Sequence, residues 1–272
     1  MQTTEKTALP LADLERIIRE AAKLMLEADS ARMHVEEKSG TANFVTEYDV
    51  RVQRTLQAAF SELLPGCGYL AEEEGESENA IGAGYTFIID PIDGTTNFML
   101  GRRASCISVA LLEDSKTVYG AIYDPYADRF YMATAGGGAF CNGQPIHVSD
   151  REPLKGVAAI GTAPYYKETL SRPVTEIIYA MLQNFGDIRR VGSAALDLCD
   201  VACGVSVAYC EPILSPWDFA AGRLLVEEAG GIVTDMHGAP LPQDKPAGVL
   251  AASPKAYETL KKTVDAAMAA CK

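Results

Sequence analysis

The sequence predicts one compact unit of mixed α and β structure, with an α+β half over residues 1–150 packed on an α/β half over residues 151–272. Three observations support this prediction. Two segments near the start carry apolar residues at helical spacing. Short apolar segments separated by turn residues follow them, as in a meander of strands. In the second half, strand-like and helix-like segments alternate, which is typical of α/β structure.

The first half is predicted to begin with two helices. One covers residues 11–26 and starts after Pro10, a residue that suits a helix start. The other follows Thr46 and ends at Pro65-Gly66. Their apolar positions are, in chain order, Leu14, Ile17, Ile18, Ala21, Leu24 and Met25, then Val50, Leu56, Ala59, Phe60 and Leu63.

Strands are predicted for the rest of the first half. The first two cover residues 69–71 and 87–89, and a polar loop with glycines lies between them at residues 76–84. Four more strands follow at residues 106–112, 117–123, 129–134 and 138–140. Asn142-Gly143 is then a strong signal for a hairpin turn.

The second half is predicted to alternate between the two kinds of element. Its strands are expected at residues 157–161, 188–191, 206–210, 232–234 and 248–251. Its helices are expected at residues 171–185, 194–203, 219–229 and 254–270. Strands that alternate with helices indicate a sheet with helices on its faces.

The composition excludes several classes of protein. With 48% hydrophobic and 22% charged residues, the 272-residue chain has the apolar content of a globular protein, which a disordered chain lacks. The net charge of −13 opposes nucleic-acid binding, because that function needs a basic surface. The acidity indicates either carboxylates that bind cations or simply a solvated surface.

The sequence also predicts a cytoplasmic protein that is not held in a membrane. No apolar run approaches the roughly 18 residues that a membrane span needs. The first residues lack the basic and then apolar pattern of a signal peptide. The seven cysteines form no CxxC pair, and none of the three histidines lies near Cys199 and Cys203. Reduced, mostly buried thiols are therefore expected instead of a zinc site.

Residues 90–98, DPIDGTTNF, place two carboxylates beside a possible helix start. A predicted buried strand leads to Asp90, Asp93 follows at a turn, and Thr95 can open a helix. Carboxylates suit Mg²⁺ and the N–H groups of a helix start suit phosphate, so the segment indicates metal-assisted phosphoryl hydrolysis. The alternative is an Asp-rich turn in which a threonine caps a helix.

Three other acidic motifs have both a structural and a functional interpretation. Asp218 lies where a helix begins, so it can be a helix cap or a ligand. Residues 72–74 are three glutamates, which can form a solvated loop or contain a ligand. Thr46 and Asp49 match a capping box, and that role is compatible with a functional Asp49.

Together these motifs resemble the signatures of the inositol monophosphatase family. Residues 90–98 match its first signature, and residues 216–231, PWDFAAGRLLVEEAGG, match its second. The resemblance covers most of the chain, from about Lys38 to Gly231. It implies a layered αβαβα sandwich of the sugar-phosphatase type, commonly found as a homodimer.

The resemblance implies two or three Mg²⁺ ions. Glu73, Asp90 and the backbone carbonyl of Ile92 would hold one ion, and Asp90, Asp93 and Asp218 would hold a second. Glu73 would also support a looser third ion. Glu73 is selected because the second glutamate is the ligand in the family's usual Glu-Glu-Ser-Gly pattern, in which Glu74 here replaces the serine.

The resemblance also implies the other roles in the site. Asp49 and Thr95 would orient and deprotonate the attacking water, and Glu73 is counted with them as catalytic. The N–H groups of Gly94 and Thr95 would hold the phosphate, and Glu211 would accept hydrogen bonds from substrate hydroxyls. The full set of implied substrate-binding residues is Asp93, Gly94, Thr95, Gly192, Ser193, Ala194, Glu211 and Asp218.

The implied activity is Mg²⁺-dependent, lithium-sensitive hydrolysis of inositol monophosphate, a small phosphate monoester. Two alternatives keep this chemistry, namely a fructose 1,6-bisphosphatase or a 3′-phosphoadenosine 5′-phosphate phosphatase of the same superfamily. Arg102 and Arg103 could meet a second anionic group, which keeps a bisphosphate substrate open. A further alternative is a non-catalytic regulatory binding protein on the same scaffold.

Overall fold

Helices and sheets of the protein stack in five layers, in the order α, β, α, β, α. The computed structural model describes residues 9–28, 33–37, 44–73 and 81–271. Lys38, Glu74 and residues 76–80 of the predicted loop lie outside the described residues.

The first layer consists of helices α1 (Leu11–Glu27) and α2 (Glu47–Leu63). Both were predicted to within a residue or two, because their apolar positions recur at helical spacing. Their apolar faces pack on one side of the neighbouring sheet, and Leu14 and Phe60 have no exposed surface there. Burial of these faces, more than helix propensity, stabilises the two helices.

The second layer is a seven-stranded sheet in which the strands follow one another in chain order. Its strands are β3 (Gly68–Ala71), β4 (Tyr85–Asp93), β5 (Cys106–Glu113), β6 (Lys116–Asp124), β7 (Arg129–Thr134), β8 (Gly138–Cys141) and β9 (Gln144–Pro145). β3 and β4 are parallel, and the other neighbouring pairs are antiparallel. Phe87 and Ile89 face α1 and α2, whereas Ile88 faces the next layer, because side chains alternate along a strand.

The middle layer comes from the second half of the chain. Helices α5 (Ala194–Ala202) and α6 (Pro216–Glu228) pack against each other and against both sheets. The contact between the helices is close, since a Cβ at Gly222 would lie 2.5 Å from the Leu198 side chain. The N-terminal ends of both helices reach the end of β4, where the Ala195 N–H donates to Asp93 and the Asp218 carboxylate joins those of Asp90 and Asp93.

The fourth layer is a five-stranded sheet, and two helices cover its outer face. In chain order its strands are β10 (Val157–Ile160), β11 (Asp187–Arg189), β12 (Ala208–Leu214), β13 (Ile232–Thr234) and β14 (Ala247–Ala252). They lie in the order β11-β10-β12-β14-β13. The outer helices are α4 (Lys167–Asn184) and α7 (Pro254–Ala270), and the side chains of Ala158 and Ile160 pack against them.

Several boundaries differ from the prediction. β4 continues to residue 93, which makes both aspartates of the first signature part of the strand. α4 begins four residues earlier than expected and contains Pro173, and β12 runs from 208 to 214. A hairpin of β1 (Val35–Glu37) and β2 (Phe44–Thr46) was not predicted, because its first strand is exposed throughout and lacks apolar alternation.

The layer order confirms the predicted fold class. The division into halves at residue 150 stays a prediction, while α5 and α6 join the two sheets through one continuous apolar cluster. Within the described part of the chain, no helix combines the length and the apolar character that a membrane crossing requires.

Candidate active site

A cavity of about 640 Å³ opens where the two sheets meet the middle helices. The end of β4, the first turns of α5 and α6, and strand β12 supply much of its wall. A short helix, α3 (Thr95–Met99), follows β4 directly and adds another part. Segments far apart in the sequence therefore converge on one concave site, as is common for small-molecule pockets.

Asp90 and Asp93 both reach this cavity because β4 is irregular. In a regular strand, residues three apart point to opposite faces of the sheet. Here Asp90 pairs with Ser108 but Asp93 pairs with Cys106, so β4 contains one residue more than its partner. Such a β-bulge redirects side chains. Oxygen atoms of Asp90, Asp93 and Asp218 consequently lie within 4.8 Å of one another.

Asp218 joins the cluster from the start of α6. Its Oδ2 accepts the N–H of Ser215 at 2.7 Å, in a capping box that fixes the carboxylate. Asp218 therefore caps the helix from the third helical position, and Ser215 is the N-cap residue. The structural and functional interpretations of this aspartate are compatible, because capping occupies one oxygen of a group that carries two.

Burial and mutual repulsion raise the pKa of every carboxyl group in the cluster. Burial is the main cause for Asp90 and Asp218, and the charge of Glu72 adds to it in both cases. The pKa of Asp93 rises to about 6 through burial. Hydrogen bonds from the Ser193 hydroxyl at 2.5 Å and the Ala195 N–H at 2.7 Å oppose this rise.

Of the two described glutamates in the run, Glu72 is the one that lines the cavity. The backbone N–H of Glu73 donates to Gln53 Oε1 at 3.0 Å, which ties that residue to α2. The sequence resemblance selected Glu73 as the ligand, whereas the charge of Glu72 acts on all three aspartates. The choice between the two glutamates stays a prediction. Counting within a run of identical residues gives no signal that distinguishes the two.

Thr95 and Asp49 form a pair beside the cluster. Thr95 Oγ1 lies 3.4 Å from Asp49 Oδ1 and 3.1 Å from the carbonyl oxygen of Ile92. Asp49 has no exposed surface, and its Oδ2 accepts hydrogen bonds from the N–H and the hydroxyl of Thr46 at 2.8 and 2.5 Å. The predicted capping box of α2 therefore holds one oxygen of Asp49 and leaves the other directed at Thr95.

The cavity wall next to Asp93 is formed by residues that were expected to bind substrate, namely Gly94, Gly192, Ser193 and Ala194. Gly94 has a φ of +88°, and a Cβ there would lie 3.0 Å from the Ala104 carbonyl oxygen. Only glycine suits this position, because other residues disfavour that conformation and the space is filled. Ser193 is the N-cap of α5, so its hydroxyl serves both the helix and Asp93.

Glu211 lies on the substrate side of the cavity in a fixed orientation. Its Oε2 accepts the Tyr209 hydroxyl at 2.6 Å, and its Oε1 accepts the Ala163 N–H at 2.9 Å. Burial raises the pKa of Glu211, and both hydrogen bonds oppose the rise. A Cβ at Gly161 would lie 1.8 Å from Glu211 Oε2, so glycine is needed there to make room for the carboxyl group.

Sequence reasoning missed several residues that shape the site. The side-chain amide of Asn97 donates to the carbonyl groups of Ala104 and Val191, at 2.8 and 3.0 Å, and so joins the two halves of the chain. Tyr165 and Asp197 line the cavity as well. Asn97 lies within the first signature, but its role there depends on Val191, which is 94 residues away, and no motif marks Tyr165 or Asp197.

Arg190 is the one cationic residue among the described residues that line the cavity. Its Nε donates to Thr162 Oγ1 at 3.1 Å, and its charge lowers the pKa of Glu211. Arg102 and Arg103 were considered for a second anionic group, but both are exposed and neither is among the described lining residues. Of these three arginines, only Arg190 lies on the described cavity wall.

The donor set fits a hard divalent cation. Carboxylate and carbonyl oxygens are the ligands that Mg²⁺ prefers, and the cluster offers three carboxylates beside the Ile92 carbonyl. Their raised pKa values show that burial and mutual repulsion oppose the ionised form of these carboxyl groups. A bound cation would offset that cost, whereas a purely structural cluster would remain unfavourable.

Comparisons with known proteins agree with this geometry. The model of the inositol monophosphatase family matches residues 10–269. Nus factor SuhB of Xylella fastidiosa is 36% identical over 212 residues, which cover 78% of this chain and 75% of that protein. Inositol-1-monophosphatase of Synechocystis sp. is 33% identical over 275 residues, which cover 98% and 94%. The solved structure of a Thermotoga maritima IMPase superposes with a TM-score of 0.86 at 28% identity, covering 96% and 99%.

Proposed function

Because the chain belongs to the inositol monophosphatase family, we propose that it is a Mg²⁺-dependent phosphomonoesterase that hydrolyses inositol monophosphate to inositol and phosphate. Family membership makes it a phosphatase of a metal-dependent superfamily. The main support for the proposed Mg²⁺-dependent mechanism is that Asp90, Asp93 and Asp218 converge beside the Thr95–Asp49 pair in one cavity.

Two or three Mg²⁺ ions would bind in this cluster. Asp90, Asp93 and Asp218 would hold them, together with the carbonyl of Ile92 and a carboxylate from the glutamate run. When bound, Mg²⁺ supplies the positive charge that offsets the phosphate dianion and stabilises the departing alcohol oxygen. Glu72 and Glu73 are both candidates for the glutamate ligand, one supported by its place on the cavity wall and the other by the family pattern.

The Thr95–Asp49 pair would act on the attacking water. The Thr95 hydroxyl can donate to Asp49 Oδ1 while its oxygen accepts a proton from water. A proton then passes from water to Thr95 and from Thr95 to the buried Asp49, so the carboxylate acts as a base without touching the water. Hydrogen bonds of this kind often tighten only when substrate is present, and the 3.4 Å separation is compatible with that.

The remaining residues would position the two ends of the substrate. The backbone N–H groups of Gly94 and Thr95, at the start of α3, would bind the phosphate. Ser193 and its neighbours in the wall, Gly192 and Ala194, would face the bond that is cleaved. Glu211, which two hydrogen bonds hold in place, would accept hydrogen bonds from the hydroxyls of the alcohol.

A bisphosphate is the second candidate substrate, and Arg190 favours it. The cavity of about 640 Å³ has Arg190 on its wall, the one cationic side chain among the described lining residues. A guanidinium group binds phosphate through paired donors. Fructose 1,6-bisphosphate and 3′-phosphoadenosine 5′-phosphate both have a second phosphate that Arg190 could bind.

A regulatory role is the third candidate. The chain is similar to a relative named Nus factor SuhB, so binding to other proteins, with or without catalysis, deserves a test. A homodimer and a cytoplasmic location complete the proposal, and both are carried over from the sequence expectations.

Phosphate release from a panel of substrates tests the proposal. We expect Mg²⁺-dependent release that EDTA abolishes, with myo-inositol 1-phosphate preferred over fructose 1,6-bisphosphate, 3′-phosphoadenosine 5′-phosphate and NADP. Millimolar Li⁺ should inhibit it. Preference for a bisphosphate would favour the second candidate, and Arg190→Gln should then remove the preference. If phosphate is released from none of these substrates, the proposed phosphatase activity is contradicted and the regulatory role becomes the leading candidate.

A matched pair of variants assigns the glutamate ligand. Glu72→Gln and Glu73→Gln each remove one charge from adjacent positions. The variant that loses a metal ligand should need about 10- to 100-fold more Mg²⁺ for half-maximal activity, and the other should resemble the wild type.

A further inference from the structure

Asp197 is a buried carboxyl group on the cavity wall to which the proposed reaction gives no role. It lies in the first turn of α5 and has 2% of its surface exposed. Among the described residues, no group hydrogen-bonds to its Oδ1. Native proteins pair nearly all buried polar atoms, so an atom left without a partner calls for an explanation such as a ligand.

Glu211 provides the contrast, because both of its oxygens have partners within the protein. Tyr209 and Ala163 donate to them and fix the carboxyl group. Asp197 shares the cavity wall with Glu211. The carboxyl group of Asp197 receives a hydrogen bond from the backbone N–H of Val191. The protein therefore orients one acid fully and leaves the other with hydrogen-bonding capacity.

The surroundings of Asp197 make it suited to a hydroxyl group. Burial and the charges of Asp200 on its own helix, Glu211 on β12 and Asp93 on β4 raise its pKa to about 8. The Oδ1 atom, which has no partner among the described residues, can accept a hydrogen bond from a hydroxyl group. A phosphate or a carboxylate would not gain from this position, because the neighbouring acidic groups repel a second anion.

We propose that Asp197 is a specificity-determining residue that hydrogen-bonds a hydroxyl of the leaving alcohol. The inference rests on the proposed function, in which the alcohol occupies the part of the cavity next to Glu211. It assigns this part of the cavity to polyhydroxylated alcohols. Simple aryl or alkyl alcohols would leave the Asp197 carboxyl without a partner.

Two substrates that differ in hydroxyl groups test the proposal. The readout is the ratio of kcat/KM for myo-inositol 1-phosphate to kcat/KM for p-nitrophenyl phosphate, whose leaving group offers no further hydroxyl. We expect Asp197→Ala to lower this ratio about tenfold, mainly through KM for the inositol ester. Asp197→Asn keeps a donor and an acceptor and should stay within about threefold of the wild-type ratio.

Controls separate recognition from folding. Asp150→Ala removes an exposed carboxyl group outside the described cavity lining, one that does not act on Asp197, and should keep the wild-type ratio. If Asp197→Ala does not fold, Asp197→Leu fills a similar volume without polar atoms and takes its place. Thermal unfolding of each variant establishes that the native state is present.

The outcomes distinguish the two proposals. If Asp197→Ala lowers kcat/KM equally for both substrates, or leaves both unchanged, the proposed role of Asp197 is wrong. The proposed phosphatase activity would be unaffected by that result. If the wild-type chain hydrolyses neither substrate, the proposed function fails, and calorimetric binding of myo-inositol replaces kinetics. Weaker binding by Asp197→Ala would then support the inference, whereas equal binding or none by the wild type would overturn it.

Discussion

Replacing Gly161 with alanine should displace the Glu211 carboxyl group. A Cβ at this position would lie 1.8 Å from Glu211 Oε2, 2.0 Å from its Cδ and 2.5 Å from its Oε1. Atoms do not approach so closely, so either the carboxyl group or the backbone after β10 must move. Glu211 is buried and held by Tyr209 and Ala163, so it cannot move without losing hydrogen bonds.

The expected cost follows from these contacts. Each of the two hydrogen bonds contributes about 1 kcal/mol, and overpacking a filled site adds about 1–3 kcal/mol. We therefore expect Gly161→Ala to lower the free energy of unfolding by about 3–5 kcal/mol and the melting temperature by roughly 6–20 °C. KM for the inositol ester should rise about tenfold, because the hydroxyl-binding carboxyl group has moved. The affinity for Mg²⁺ should change little.

Differential scanning fluorimetry and steady-state kinetics measure these effects, with Gly82→Ala as the matched control. Gly82 is exposed, and a Cβ there meets no heavy atom of the described residues within 4 Å, so its replacement should be nearly neutral. Wild-type melting temperature and KM in Gly161→Ala would refute the reasoning. That result would mean that Glu211 is not packed against Gly161 in solution.

Three further predictions concern the carboxylates and the Thr95–Asp49 pair. Asp93→Asn should lower kcat about 10²- to 10³-fold with an unchanged circular dichroism spectrum, and retained phosphate release would contradict the proposed metal centre. Thr95→Val should lower kcat about 10²-fold and leave KM within about twofold, which steady-state kinetics can verify. Asp49→Asn should have the same effect, because both variants interrupt the proton transfer from water through Thr95 to Asp49. In the metal-free protein the pKa of Asp93 is about 6, above its ordinary value of 3.8, so the folded state binds this proton more tightly than the unfolded state does. The free energy of unfolding should therefore fall by roughly 3 kcal/mol as the pH rises from about 4 through 6. Mg²⁺ should therefore raise the melting temperature more near pH 7.5 than near pH 5, and equal shifts would argue against these carboxylates as ligands.

The metal-binding candidates show how far local sequence reasoning extends. Asp90, Asp93 and Asp218 stood out because each follows or begins an element that apolar spacing predicts. The convergence of the three carboxylates depends on a bulge in the pairing of β4 with β5. A bulge has no pattern of its own in one strand, because it is a property of two paired strands.

The run of glutamates marks the limit of that reasoning. A pattern selected Glu73, and the structure places Glu72 on the cavity wall. One residue of shift along an extended segment reverses the direction of a side chain, so a small error in register exchanges the two roles. Long-range partners decide the register, here the hydrogen bond from the Glu73 N–H to Gln53.

The sequence by itself determined the helices, most strands and the capping box of α2. These features depend on residues within one or two turns of each other, such as Thr46 with Asp49. At α6 the predicted cap was Asp218 itself, whereas the structure makes Ser215 the N-cap and Asp218 the third helical residue. Apolar spacing also predicted which faces are buried, because burial drives each element to cover its apolar side.

Only the tertiary structure decided which side chains share the cavity. Asn97 contacts Val191, Asp93 contacts Ser193 and Gly161 makes room for Glu211, across separations that no local pattern spans. Such contacts depend on how the layers stack, and stacking depends on the packing of all the apolar faces at once. The local physics of each segment therefore specified the elements, and the shared core placed their polar ends together.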